Sequence, residues 1–115
     1  MKTKNSKTKN SNSTNKRRFV LLQRARTHTV HIEFSDSVAE SVAIAGTFND
    51  WRPEVTPMMA VGQGRWVKDL ALPAGTYEYC LVLDACKWAP DPQAGETAPN
   101  PFGGFNSVLK VSEPA

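Results

Sequence analysis

From Phe19 onward, apolar and polar residues alternate with a period of two, which predicts strands with one buried face and one solvated face. Phe19-Val20-Leu21-Leu22 is a short apolar run that leads into the sheet or covers its edge. In Thr29 to Phe34, Val30, Ile32 and Phe34 share one face, and His31 and Glu33 share the other. Ser35-Asp36-Ser37 interrupts the pattern, and Val42 to Phe48 resumes it, with alanines set against Val42 and Ile44. Pro53 and Pro57 confine the next segment, Glu54 to Met59, to an edge or an irregular crossing. Gly62-Gln63-Gly64 predicts a turn into a strand over Arg65 to Leu72, where Trp66 falls beside Val67 and Leu70 and reads as core.

After a turn at Pro73-Ala74-Gly75, Thr76 to Leu83 is the clearest strand. Tyr77, Tyr79, Leu81 and Leu83 face one way, and Glu78, Cys80 and Val82 face the other. Trp88 starts a short strand or loop. The four prolines and three glycines from Pro90 to Gly104 predict a loop with no regular element, and Ser107 to Val111 forms the last strand. No helical period occurs. Strands at intervals of about 8–12 residues predict a small antiparallel β-sandwich.

Charge divides the chain in two. Residues 1–26 hold nine lysines and arginines and no acid, whereas the other 89 residues hold five basic and all eleven acidic side chains and sum to −6. Residues 1–18, almost all Lys, Asn, Ser, Thr and Arg, are expected to be a disordered tail preceding a domain over residues 19–115. The tail reads as a solubilising segment. Contact with nucleic acid through counterion release is the lesser reading, because no aromatic is interleaved for base stacking. No apolar stretch is long enough to cross a bilayer, and none follows the basic amino terminus as a secretory leader would require. A cytoplasmic protein is the expectation. Cys80 and Cys86 are too few and too close to make a disulfide framework.

Two tryptophans stand out by position. Trp51 closes Gly46-Thr47-Phe48-Asn49-Asp50-Trp51, and Trp88 follows Asp84-Ala85-Cys86-Lys87, each just beyond a strand and next to polar turn residues. One reading plugs the ends of the core with them, since tryptophan is highly buried on average. The other, which the polar context favours, lays them out as a platform for sugar rings, whose C–H groups pack on the negative face of an indole. Asn106, after Gly103-Gly104-Phe105, is either a turn asparagine or an amide that donates to and accepts from sugar hydroxyls. Signs of catalysis are lacking. Asp50, Asp84 and Asp91 read as turn formers rather than as a pair facing across a cleft. His28 and His31 fall on opposite faces of a strand, a poor arrangement for a metal, and no cofactor is expected. Cys80 reads as packing rather than as a nucleophile.

Four segments in the same order resemble the glycogen-binding module family: Gly46–Trp51, Leu72–Tyr79, Trp88–Pro92 and Asn100–Leu109. That family includes the module on the β subunit of AMP-activated protein kinase and the amino-terminal modules of glycogen branching and debranching enzymes. The resemblance covers roughly Thr27 to Val111. It implies an early-set immunoglobulin-like sandwich that binds α-1,4-linked glucan polysaccharide or oligosaccharide without catalysis. It assigns stacking to Trp51 and Trp88, a hydrogen bond to Asn106, and apolar contact to Phe102 in place of the family's leucine. It also implies two lost contacts, because Cys80 stands where the kinase-type module has a lysine, and Gly104 where it has a threonine. An interaction or regulatory protein that uses the sandwich as a scaffold, for instance for an enzyme of glucan metabolism, is the alternative.

Overall fold

Alternation of side chains along the central strands dictates two sheets pressed face to face, and the computed structural model, which describes residues 26–113, has this arrangement. Among the described residues eight strands follow in order: β1 (Thr27–Ser35), β2 (Val42–Gly46), β3 (Met59–Gly62), β4 (Arg65–Pro73), β5 (Gly75–Leu83), β6 (Lys87–Ala89), β7 (Glu96–Pro99) and β8 (Phe105–Val111), with one 3-10 turn at Pro53–Val55. One sheet has the order β1-β4-β3. The other runs β2-β5-β8-β7, with β6 also paired to β5. All pairings are antiparallel. The expected tail and the apolar run from Phe19 to Leu22 lie outside the described residues.

The core lies between the sheets. Ile32 and Phe34 of β1, Val42 and Ile44 of β2, Trp66, Leu70 and Leu72 of β4, and Tyr79, Leu81 and Leu83 of β5 form one buried cluster. Each large aliphatic side chain buried there contributes about 1.5–3 kcal/mol. Trp66 is core, as the strand pattern predicts.

Three details differ from the pattern. First, β2 stops at Gly46 instead of continuing to Phe48. The Gly46 carbonyl leaves the ladder and accepts the N–H groups of Asn49 and Trp51, at 3.1 and 2.9 Å, so the chain turns there. Second, the proline-rich segment from Pro90 to Gly104 contains a regular element after all, the edge strand β7. Its Glu96–Pro99 backbone pairs with Phe105–Val108, and the proline sits at the strand's end on an outer edge, where a missing donor is tolerated. Third, β5 is buried on both faces from Tyr79 to Leu83, not on one alone.

Pairing along β5 explains the third point and positions the site. Residues Gly75–Tyr79 pair with β8, while Leu81–Leu83 pair with β6 on the same edge, because β2 occupies the other edge. Strands β6 and β8 thus meet end to end beside Cys80. Opposed residues share a face. Val82, Trp88, Cys80 and Ala45 therefore lie on the outer face of the five-stranded sheet, away from Tyr79, Leu81 and Leu83.

Candidate functional site

On that outer face opens a groove of about 640 Å³. It is lined by Trp51, Trp88, Phe102 and Asn106, together with Cys80, Asn100, Gly104 and the apolar Pro90, Pro101 and Phe105. All four residues singled out in the sequence come together here. Among the described residues no charged side chain belongs to the lining.

Trp88 is carried at the centre of β6 opposite Val82 and is 49% exposed. Trp51 is half-buried and sits on the turn beyond β2. That turn is built by Asn49, whose Oδ1 accepts from Gly46 N at 3.0 Å and Arg52 N at 3.3 Å. Its Nδ2 donates to Ile44 O at 2.9 Å and to Thr56 Oγ1 at 2.8 Å. Asp50 and Trp51 both adopt left-handed backbone, with φ 56° and 57°. A bulky residue seldom does so, and such strain persists only where surrounding bonds over-determine it. Gly46 must remain without a side chain, since a Cβ there would meet Glu78 O and Phe48 Cε2 at 2.7 Å.

Phe102, 93% exposed, projects from the loop between β7 and β8. Asn100 shapes this loop. Its Oδ1 accepts the backbone N–H groups of Phe102 and Gly104 at 2.9 and 3.0 Å, and its own N–H donates to Gly104 O at 2.9 Å. Asn106 is only 8% exposed and is held by protein partners. Its Nδ2 donates to Glu78 Oε1 at 3.0 Å, and its Oδ1 accepts from Cys80 Sγ at 3.2 Å and Asn100 Nδ2 at 3.3 Å. Cys80 is buried, and that burial pushes its thiol pKa up, so the sulfur stays protonated and packs as a weak donor. Cys86 is exposed, and the two cysteines are unpaired.

Asp84 and Asp91 serve the fold. Asp84 accepts the N–H groups of Glu40 and Ser41 at 2.8 and 3.1 Å. Asp91 shapes its turn through Gln93 N at 2.9 Å, and it is also buried, accepting the Tyr79 hydroxyl at 2.7 Å. Burial, and then this bond, hold the Tyr79 phenol far above its ordinary pKa. The Asp91 N–H donates to Ser107 Oγ at 2.7 Å, which pins the segment after β6 to β8 beneath the groove. The histidines lie on the other sheet. His28 contacts Glu113 at 2.6 Å, and His31 contacts Asp69 at 2.7 Å and Glu33 at 3.2 Å. Among the described residues no three His, Cys, Asp or Glu side chains gather as a metal would need.

Sequence reasoning passed over Asn49, Asn100 and Glu78. Both asparagines carried a legible signal, Asn49 beside Asp50 in a polar turn and Asn100 between Pro99 and Pro101, since a turn asparagine bonds its own neighbouring backbone. Glu78 showed itself only as the one charged residue within an otherwise uncharged strand.

Residues 28–115 match the family model described as the glycogen recognition site of AMP-activated protein kinase. Among solved structures, the chain is similar to the maltogenic amylase from S. marinus, with a TM-score of 0.64 and 19% identity over 79% of this chain and 15% of that one. It is similar also to a candidate alpha amylase from Salmonella typhimurium, with a TM-score of 0.57 and 20% identity over 76% of this chain and 15% of that one. The chain thus spans 15% of the length of each amylase, and at such identity the likeness shows the shared fold alone. No curated protein sequence matches the chain.

Proposed function

Since this chain belongs to the family of the glycogen recognition site of AMP-activated protein kinase, we propose that it is a non-catalytic module that binds α-1,4-linked glucan on the Trp51–Trp88 platform. The observation that carries the reading is the convergence of two indoles, Phe102 and a buried amide on one uncharged groove. Indole faces take the C–H faces of successive glucose units. Phe102 presses on the sugar from the loop, and Asn106 supplies a hydrogen bond that orients it. Glycoside cleavage needs two carboxylates facing across a cleft, and among the described residues the groove lining contributes none. A shallow site of this kind gives a single-chain Kd on the order of 0.1–1 mM, about 4–5 kcal/mol.

Affinity electrophoresis through glycogen tests the reading. The wild-type chain should be retarded, and Trp51→Ala and Trp88→Ala should each run as though no polysaccharide were present. Equal retardation of all three proteins removes the platform.

One observation favours a second reading, a scaffold for a protein partner such as an enzyme of glucan metabolism. Strand β3 is a sheet edge whose four residues are all exposed, Met59 and Val61 among them. Such an edge can accept a strand from another chain. Binding of a purified partner that survives loss of both tryptophans supports this second reading.

A further inference from the structure

The amide of Asn106 joins a hydrogen-bonded chain whose direction is set from both ends. A carboxylate only accepts, so the nitrogen of Asn106 must be the atom that faces Glu78. At the far end, the backbone N–H groups of Phe102 and Gly104 only donate. They fix the oxygen of Asn100 toward themselves and its Nδ2 toward Asn106 Oδ1. The protonated thiol of Cys80 adds a second donor to that same oxygen. A primary amide has two N–H donors and two acceptor positions. Among the described residues three of the four are taken in Asn106, and one N–H is left over on a buried side chain that lines the groove.

Building on the platform reading, we propose that Glu78 is the positioning residue of the glucan site: its carboxylate locks the Asn106 amide so that it offers a sugar oxygen one N–H and no acceptor. Glu78 stands at the junction of the site's parts. Its backbone carbonyl accepts Thr47 N–H at 2.9 Å, and its own N–H donates to Thr47 Oγ1 at 3.3 Å, at the root of the Trp51 turn. Its side chain holds Asn106, and through Asn100 the same network reaches the loop that carries Phe102. The ligand class that follows is a neutral glucan presenting a ring or hydroxyl oxygen at this point. An anionic sugar would meet a nearby carboxylate and, among the described residues, no cation in the lining.

Maltoheptaose titrations of wild type, Glu78→Gln, Glu78→Ala and Trp88→Ala by NMR test this, with the Asn106 side-chain amide recorded before sugar is added. Glu78→Gln keeps an accepting oxygen and should bind within about threefold of wild type, whereas Glu78→Ala should bind about tenfold more weakly. Free Glu78→Ala should also lose the slowed exchange of one Asn106 Nδ2 proton, which Glu78→Gln should retain. If Glu78→Ala melts earlier but binds as tightly as wild type, or leaves the Asn106 signals unmoved, the proposal is overturned. If Trp88→Ala loses binding while Glu78→Ala does not, this proposal fails alone. If the wild-type chain ignores maltoheptaose, or Trp88→Ala binds as well as it does, the platform reading fails and takes this proposal with it.

Discussion

The side chain of Asn49 uses all four of its hydrogen-bonding positions within the turn that carries Trp51, reaching Ile44, Gly46, Arg52 and Thr56. Removing it leaves partly buried groups without partners, and each such group costs about 1–3 kcal/mol. Asn49→Ala should therefore destabilise the domain by about 2–3 kcal/mol in urea denaturation. It should also weaken glucan binding, because the left-handed backbone of Asp50 and Trp51 loses the bonds that impose it. His31 links stability to pH. Its hydrogen bond to Asp69 first, and then that to Glu33, raise its pKa above 6.5. The folded chain thus holds this proton more tightly than the unfolded chain. The resulting stability is present in full below pH 6.5 and is lost as pH rises through the folded-state value. His31→Asn should flatten that part of the stability profile without altering glucan binding, since His31 lies on the other sheet. The ion pair is exposed, so the effect is small.

Among the elements, β5 joins stability to the site. Its inward residues hold the core, and its outward residues Glu78, Cys80 and Val82 support the groove. Leu81 is fully buried, so Leu81→Ala should cost about 2–5 kcal/mol. Phe102, on its exposed loop, should behave in the opposite way. Phe102→Ala should change stability by less than about 0.5 kcal/mol while reducing retardation by glycogen. Thermal melts run beside affinity electrophoresis separate the two effects. The same strand shows what alternation can disclose. Period two located β1, β4 and β5 and placed Trp66 in the core, because those strands face a single core. It could not reveal that Cys80 and Val82 are also buried, since their neighbours on the outer face, Trp88 of β6 and Asn106 of β8, are set beside β5 only by the register of the folded sheet. Strand β7 was hidden for another reason. Its ladder depends on backbone pairing with β8, and its composition of Glu, Thr, Ala and Pro lacks the apolar alternation that marks a strand.

In the molecule as a whole, the groove lies on the outer face of one sheet, clear of the core that stabilises the sandwich. Trp51, Trp88 and Asn106 were legible as candidates because large aromatics or an amide fell among polar or glycine-rich turns, whereas Phe102 was reached only through the family resemblance, in place of a leucine. The network joining Glu78, Asn106 and Asn100 was not legible, because its members come from β5, β8 and the loop between β7 and β8, and only the folded register brings them together. A shallow site and a branched polysaccharide make valency the decisive variable. Linking two copies should raise retention on glycogen far more than any single substitution, provided that the linker spans neighbouring chains. Titration of ¹⁵N-labelled protein with maltoheptaose, followed through its three indole N–H signals, tests whether glucan sits on Trp51 and Trp88. Trp51 and Trp88 should shift together along one saturable curve, while Trp66, sealed between the sheets, stays in place. Equal movement of all three indoles, or a response confined to the β3 edge with Trp51 and Trp88 unmoved, would contradict the account.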